Sequence, residues 1–341
     1  MSSSRSGGIL RVAIIGCGKI ATRFHAPSFA RLPGCRIVAA CDVAIDNARS
    51  LGDLYGVPAY RDVDECLERE GVDIADVVTR EQDRCPVLEQ CFAQGVHVFT
   101  EKPLAGAAGQ YRIQDTDLPE ARAAIDAWLR AGVRFGVNLA LRHDLAAGEL
   151  KRAVLAGELG EPVALCADHA LGSANHLVDL LRWINGDVCE VAGVTVGDPV
   201  RPSRAAFLRF DNGSVGTLAS ILESDVYFRL QYAGTAGRAV LHNIGGYLEW
   251  FDRDGRTAHS WRPSYEDTHT TLTGLFDRSI AAFVEDVRSG TEVVASGLDA
   301  LRQMEVDAAI TRSFASGRRE RVERYQTAGL GEPARAGAAG R

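Results

Sequence analysis

The stretch Leu10–Phe24, LRVAIIGCGKIATRF, decides the fold. Leu10 to Ile15 is a short apolar run with β-branched residues, the composition of a buried strand. It stops at Gly16-Cys17-Gly18-Lys19-Ile20-Ala21, a G-x-G-x-x-A pattern, and the chain then turns helical over TRFHAPSFARL. A glycine turn between a strand and a helix lets backbone approach a pyrophosphate at the helix N-terminus, where the dipole favours negative charge. The next apolar run, RIVAACD, closes on Asp42, 24 positions beyond Gly18. A carboxylate there accepts hydrogen bonds from a ribose diol and repels a 2′-phosphate. The pattern predicts a dinucleotide site that takes NAD in preference to NADP, with Gly16, Gly18, Lys19, Ile20 and Asp42 around it.

Working outward, helical and strand patterns alternate. AIDNARSLGDLYG and DVDECLEREG have helical spacing, VDIADVVT reads as a strand, and CPVLEQCFAQG followed by VHVFTEKP repeats helix and strand. Such alternation predicts a parallel sheet with right-handed crossovers, a Rossmann-type doubly wound α/β domain over residues 9–139. From about Ala140 the rhythm changes. After the helical AAGELKRAVLAGELGEP and HLVDLLRWING, the chain becomes strand-rich, with DNG and DRDG turns between alternating runs. Residues 140–325 therefore read as a C-terminal α+β domain with an open, mostly antiparallel sheet, closed by two helical patterns. Residues 1–8 and the Gly/Ala-rich 326–341 show no periodicity and read as disordered.

Composition narrows the function. The 341 residues, 46% of them hydrophobic, suffice for two domains with their own cores. A net charge of −7 gives no basic field for a phosphate backbone, so nucleic acid is disfavoured as a partner and a small molecule favoured. No N-terminal run is long enough to be a membrane span, and none ends in a cleavage site. The eight cysteines are scattered without a CxxC. These features predict a soluble, cytoplasmic protein with reduced thiols. His25, His143 and His169 lack helical or hairpin spacing to one another and to a carboxylate, so no metal site is predicted.

Two further motifs carry chemistry. Of the 38 lysines and arginines only Lys19, Lys102 and Lys151 are lysine. Lys102 follows a strand, in HVFTEKPLAG, at the carboxyl edge of the sheet where doubly wound folds bind ligands. Unlike arginine, a partly buried lysine can lose its proton near neutrality and act as acid or base. In GSANHLVDLLRWINGD, His176 and Asp179 share a helix face. A neutral imidazole can pass a proton near pH 7, whereas Asp179 reads as a first-turn carboxylate favoured by the helix dipole.

Taken in order, VAIIGCGKIATRFHAPSF, RIVAACDVAIDNARSLGDLYGVPAY, GVHVFTEKPLA, GELGEPVAL and HLVDLLRWINGD resemble the Gfo/Idh/MocA family of oxidoreductases, from about Leu10 to Tyr325. The resemblance implies NAD or NADP as cofactor. It implies hydride transfer with a secondary hydroxyl or ketone of a sugar, cyclitol or related polyol, and a homo-oligomer built through the C-terminal sheet. It maps the family's catalytic lysine onto Lys102 and its histidine onto His176. Thr79, Glu101 and Lys102 fall on the cofactor side, and Arg142, His143 and Asn175 toward the substrate. Four departures stand out. The aspartate four residues before the histidine is Gly172 here. The turn usually reading T-P-P or T-P-N is Thr79-Arg80-Glu81. Arg142-His143 replaces an arginine-aromatic pair, and about ten residues are added after EKPLA. These departures leave two alternatives open: a redox-neutral enzyme with tightly held NAD, working through a transient ketone, and a non-catalytic NAD-binding sensor or scaffold.

Overall fold

The protein is described by a computed structural model over residues 8–170, 175–196, 203–220, 228–243, 246–262 and 272–327. The stretches read as disordered termini, and Gly172, lie outside these residues apart from Gly8, Gln326 and Thr327.

Six strands form the first sheet: β1 (Leu10–Ile15), β2 (Cys35–Cys41), β3 (Ala59–Tyr60), β4 (Ile74–Val77), β5 (His97–Thr100) and β6 (Phe135–Val137). All pair in parallel, in the order β3-β2-β1-β4-β5-β6. The order reverses between β1 and β4, and at such a switch point the two diverging loops leave a crevice at the strands' carboxyl ends. Five helices make the crossovers: α1 (Ala26–Arg31, preceded by a wider turn over Ala21–His25), α2 (Ile45–Tyr55), α3 (Val63–Glu70), α4 (Arg84–Ala93) and α5 (Leu118–Ala131). β1 and β4 are buried on both faces, which is why they read as continuous apolar runs. Asp76 within β4 breaks that rule at zero exposure.

The second sheet is larger. Two helices, α6 (Leu145–Leu155) and α7 (Asn175–Asn185), accompany β7 (Pro162–His169), β8 (Val188–Val196), β9 (Ser203–Phe210), β10 (Val215–Ser220), β11 (Phe228–Gly234), β12 (Arg238–His242), β13 (Tyr247–Phe251) and β14 (Thr257–Trp261). After α8 (Leu272–Ser289) and α9 (Gly297–Ser316), a short β15 (Glu320–Arg321) completes the order β14-β13-β12-β11-β7-β10-β9-β8-β15. The DNG and DRDG turns form as predicted, with Gly213 and Gly255 at φ +87° and +77°. The sequence reading passes over β7 by extending the helix through Pro162. The helix instead stops at Leu155, and Gly157 and Gly160 at positive φ redirect the chain into a strand. β7 pairs in parallel with β10, so the sheet is mixed, though its other ladders are antiparallel.

The last two long helices join the sheets. Ile280, Phe283 and Val284 of α8 pack in one core with Val12, Ile14 and Phe99. α9 gives Leu301, Met304 and Ala308 to a core of the first sheet and Val306, Ala309 and Ile310 to the core of the second. Among the described residues no helix is long and apolar enough to cross a membrane.

Candidate active site

The glycine turn is built as its spacing predicts. Gly16 has φ +89°, and a Cβ there would lie 2.8 Å from Thr79 N and Val78 C. The turn is thus packed on the end of β4, and only glycine fits. Around Gly18 the opposite holds: nothing lies within 4 Å of where a Cβ would stand, so the backbone is bare to a ligand. Asp42 ties this turn to the end of β2. Its Oδ2 accepts from Cys17 N at 2.8 Å and its Oδ1 from Ala44 N at 2.8 Å. Lys19 and Ile20 are exposed on the first helical turn. Across the crevice, the buried Thr79 Oγ1 has no hydrogen-bond partner among the described residues. An open backbone cradle, a carboxylate ending β2 and an orphaned hydroxyl ending β4 fit a dinucleotide.

β5 delivers Glu101 and Lys102 to the same edge. Beneath them runs a buried chain of polar groups. His25 donates to Asp76, with Nδ1 2.9 Å from Oδ1, and its Nε2 lies 3.1 Å from Glu101 Oε1. Asn138 Nδ2 donates to that same Glu101 oxygen at 2.6 Å. Burial alone would lower the imidazole, but the charges of Asp76 and Glu101 outweigh it and push His25 up to about 10, so it stands as a cation. Burial would raise Glu101, yet His25, Asn138 and Lys102 hold it below the usual carboxylate range. Arg84 braces the adjoining loops from beneath, donating to Thr79 O at 2.5 Å and to Pro103 O.

Lys102 itself is half-buried. Its Nζ donates to Gln110 Oε1 at 2.6 Å and to Asn175 Oδ1 at 3.3 Å, while Asn175 Nδ2 donates to Gln110 O at 3.3 Å. Burial lowers its proton affinity and Arg84 lowers it further, against the opposing pull of Glu101, Glu81 and Asp307. The amine is therefore easier to deprotonate than a free lysine. His176, the next residue after Asn175 at the start of α7, is held well below its ordinary value by burial, Lys102 and His169. It is a neutral imidazole with one donor and one acceptor, not a group that stores a proton near pH 7.

The structure thus gathers Gly16, Gly18, Asp42 and Thr79 at the crevice and brings Glu101, Lys102, Asn175 and His176 together beside it. Arg142 and His143 are engaged elsewhere. Arg142 grips Asp179 through Nε (3.0 Å) and Nη2 (2.6 Å), reaches Asp299 at 3.1 Å and donates to Val294 O at 2.8 Å. Asp179 is therefore a buried partner of Arg142 and not a dipole-stabilised surface acid. The His143 carbonyl accepts from Arg278 Nε at 2.7 Å, and burial with Arg142 and Arg278 lowers its ring to about 4. Sequence reasoning missed His25, Asp76, Gln110 and Asn138. An acid inside the apolar strand IADV was the one local signal available.

Fold and site together define a two-domain dehydrogenase built on a dinucleotide-binding sheet. Residues 10–138 match the model of the oxidoreductase family with an NAD-binding Rossmann fold, and residues 167–323 match that family's C-terminal α/β domain. The chain belongs to this family, Gfo/Idh/MocA, whose cofactor is NAD. It is 24% identical to myo-inositol 2-dehydrogenase of Thermotoga maritima, over 92% of this chain and 99% of the relative. It is 23% identical to scyllo-inositol 2-dehydrogenase (NAD(+)) of Bacillus subtilis, over 90% and 95%. Among solved structures, the WlbA dehydrogenase of Bordetella pertussis in complex with NADH and UDP-GlcNAcA superposes with a TM-score of 0.78 at 20% identity, over 94% of this chain and 99% of that one.

Proposed function

We propose that the protein transfers hydride between NAD and a secondary hydroxyl or ketone of a sugar, cyclitol or related polyol. The observation that carries this reading is Lys102, an amine with lowered proton affinity, hydrogen-bonded to Gln110 and Asn175 beside the open glycine turn. When bound, NAD supplies the acceptor for the hydride. In oxidation, neutral Lys102 takes the proton of the reacting hydroxyl as its carbon gives up hydride and the carbonyl forms; in reduction the ammonium returns that proton. Neutral His176 orients the same oxygen. Glu101, pinned by His25 and Asn138, keeps a negative charge behind the lysine, and Gly16, Gly18, Asp42 and Thr79 hold the cofactor.

The inositol dehydrogenases among its relatives favour a cyclitol as the first substrate to test. The experiment follows nicotinamide absorbance with purified protein, NAD and a panel of inositols, aldoses and nucleotide sugars. NADH formed in step with ketone on at least one polyol is the expected result. Product without accumulating NADH would instead indicate a redox-neutral reaction, and tight NADH binding with no turnover a non-catalytic role.

A further inference from the structure

α9 carries two polar residues that the chemistry above does not use. Its two apolar stripes, Leu301/Met304/Ala308 and Val306/Ala309/Ile310, face the two cores and leave two flanks between them. One flank, Arg302 and Glu305, is satisfied by protein: Arg302 donates to Glu305 at 2.8 Å and to Tyr325 O at 2.8 Å, and Glu305 accepts from Tyr325 N at 2.6 Å. The other flank holds Gln303 and Asp307, at 0% and 2% exposure. Gln303 Nε2 donates to Asp307 Oδ2 at 2.6 Å. That bond leaves Gln303 Oε1 and Asp307 Oδ1 buried with no hydrogen-bond partner among the described residues. Orphaned buried acceptors are costly and rare, and here two sit one helical turn apart.

Their surroundings locate them. The cations acting on Asp307 are Arg204 and Lys102, and Asp307 in turn acts on Lys102. Burial pushes the Asp307 carboxyl up to about 7 against both. Arg204, the second residue of β9, sets its guanidinium 5.9 Å from the centre of the Phe314 ring of α9. It pairs across the ladder with Ser220, whose other neighbour is His169 on β7. His169, Ser220 and Arg204 are buried at one end of the second sheet, and His169 in turn acts on His176. α9 is held along α7, Arg182 donating to Asp299 O at 3.1 Å, and the flank eight residues further on lies within reach of the charge of Lys102.

We propose that Gln303 and Asp307 are substrate-positioning residues, whose free oxygens accept hydrogen bonds from hydroxyls neighbouring the one that reacts at Lys102. Two acceptors without donors select a ligand rich in hydroxyl donors, so the substrate carries an uncharged vicinal diol beside the reacting carbon. This rests on the reading of the cleft as a polyol oxidoreductase site.

The test compares wild type with Asp307→Asn, using the best polyol of the panel and its deoxy analogue lacking the adjacent hydroxyl. Asp307→Asn keeps the shape and turns one carboxyl acceptor into an amide donor. The variant is expected to raise KM for the polyol roughly 10- to 100-fold, more than it lowers kcat, and to lose most of the wild type's discrimination against the deoxy analogue. NADH affinity stays within about twofold, a control that also reports a folded cofactor domain. Gln303→Met, which leaves Asp307 in place, is read in the same way and keeps the test decisive if the first variant is poorly folded. Unchanged KM and discrimination in both variants, with an active wild type, overturns the proposal alone. A wild type that binds no polyol by calorimetry with NADH present overturns it together with the reading beneath it.

Discussion

Replacing His25 by leucine removes the cation from a chain of polar groups in which His25 and Asp76 are fully buried and Glu101 mostly so. Asp76, at zero exposure, then keeps only the low-dielectric interior around its charge, and Glu101 keeps Asn138 as its buried donor. Breaking a buried pair from one side costs about 3–5 kcal/mol because the remaining charge is uncompensated. A second route gives the same order. Raising the imidazole from 6.5 to about 10 sets a ceiling of roughly 5 kcal/mol at 1.36 kcal/mol per pH unit, which the carboxyl of Asp76, itself pushed up by burial, brings down. The sign follows from that direction: a histidine whose folded value is raised contributes stability that is complete below its unfolded value of 6.5 and fades as pH climbs through about 10. Urea unfolding, followed by circular dichroism and by the four tryptophans, measures this across pH 6 to 10. His25→Leu is expected to be less stable by about 3–5 kcal/mol at pH 6, with the gap to wild type narrowing toward pH 10. Adding Asp76→Asn recovers a large part of the loss, because the stranded charge is gone. A loss under about 1 kcal/mol, a gap constant with pH, or strictly additive effects of the two substitutions would refute the ion-chain account.

Three other outcomes follow from the site. Gly16→Ala places a methyl 2.8 Å from Thr79 N at a φ that L-residues avoid, and is expected to weaken NADH binding at least roughly tenfold by fluorescence titration. Asp42→Ser removes the carboxylate proposed to hold the ribose and is expected to shift the NAD:NADP affinity ratio at least roughly tenfold toward NADP; an unchanged ratio would show that Asp42 only braces Cys17 N. In the oxidation direction kcat/KM is expected to rise with pH as Lys102 loses its proton, with a midpoint below the free-lysine value of 10.5; a midpoint at or above it contradicts the burial argument.

Much of the fold was legible because it is encoded locally. Leu10–Gly18 announces strand and turn within a few residues, and the DNG and DRDG hairpins need only their own positive-φ glycines. β7 was lost because its alternation is shallow and follows directly on a helical run. The site divides along the same line. Gly16, Gly18 and Asp42 are a spacing, so sequence can show them. The His25 ion chain joins residues 51 and 76 positions apart, held together only by the adjacency of β4 and β5. Gln110 reaches Lys102 from the segment that departs from the family pattern, where no motif guides the eye. Arg142 illustrates the converse: the family resemblance turns it toward the substrate, but its partners Asp179 and Asp299 come from α7 and α9, which only tertiary structure brings near.

The account's central claim is that Lys102 moves the proton while other residues hold the cofactor. Its most direct measurement is Lys102→Met, assayed side by side for NADH binding by fluorescence and for steady-state turnover of the wild type's polyol. The account predicts NADH affinity within about threefold of wild type and turnover reduced by roughly 10² to 10⁴. Turnover near the wild-type rate with the cofactor bound would contradict it.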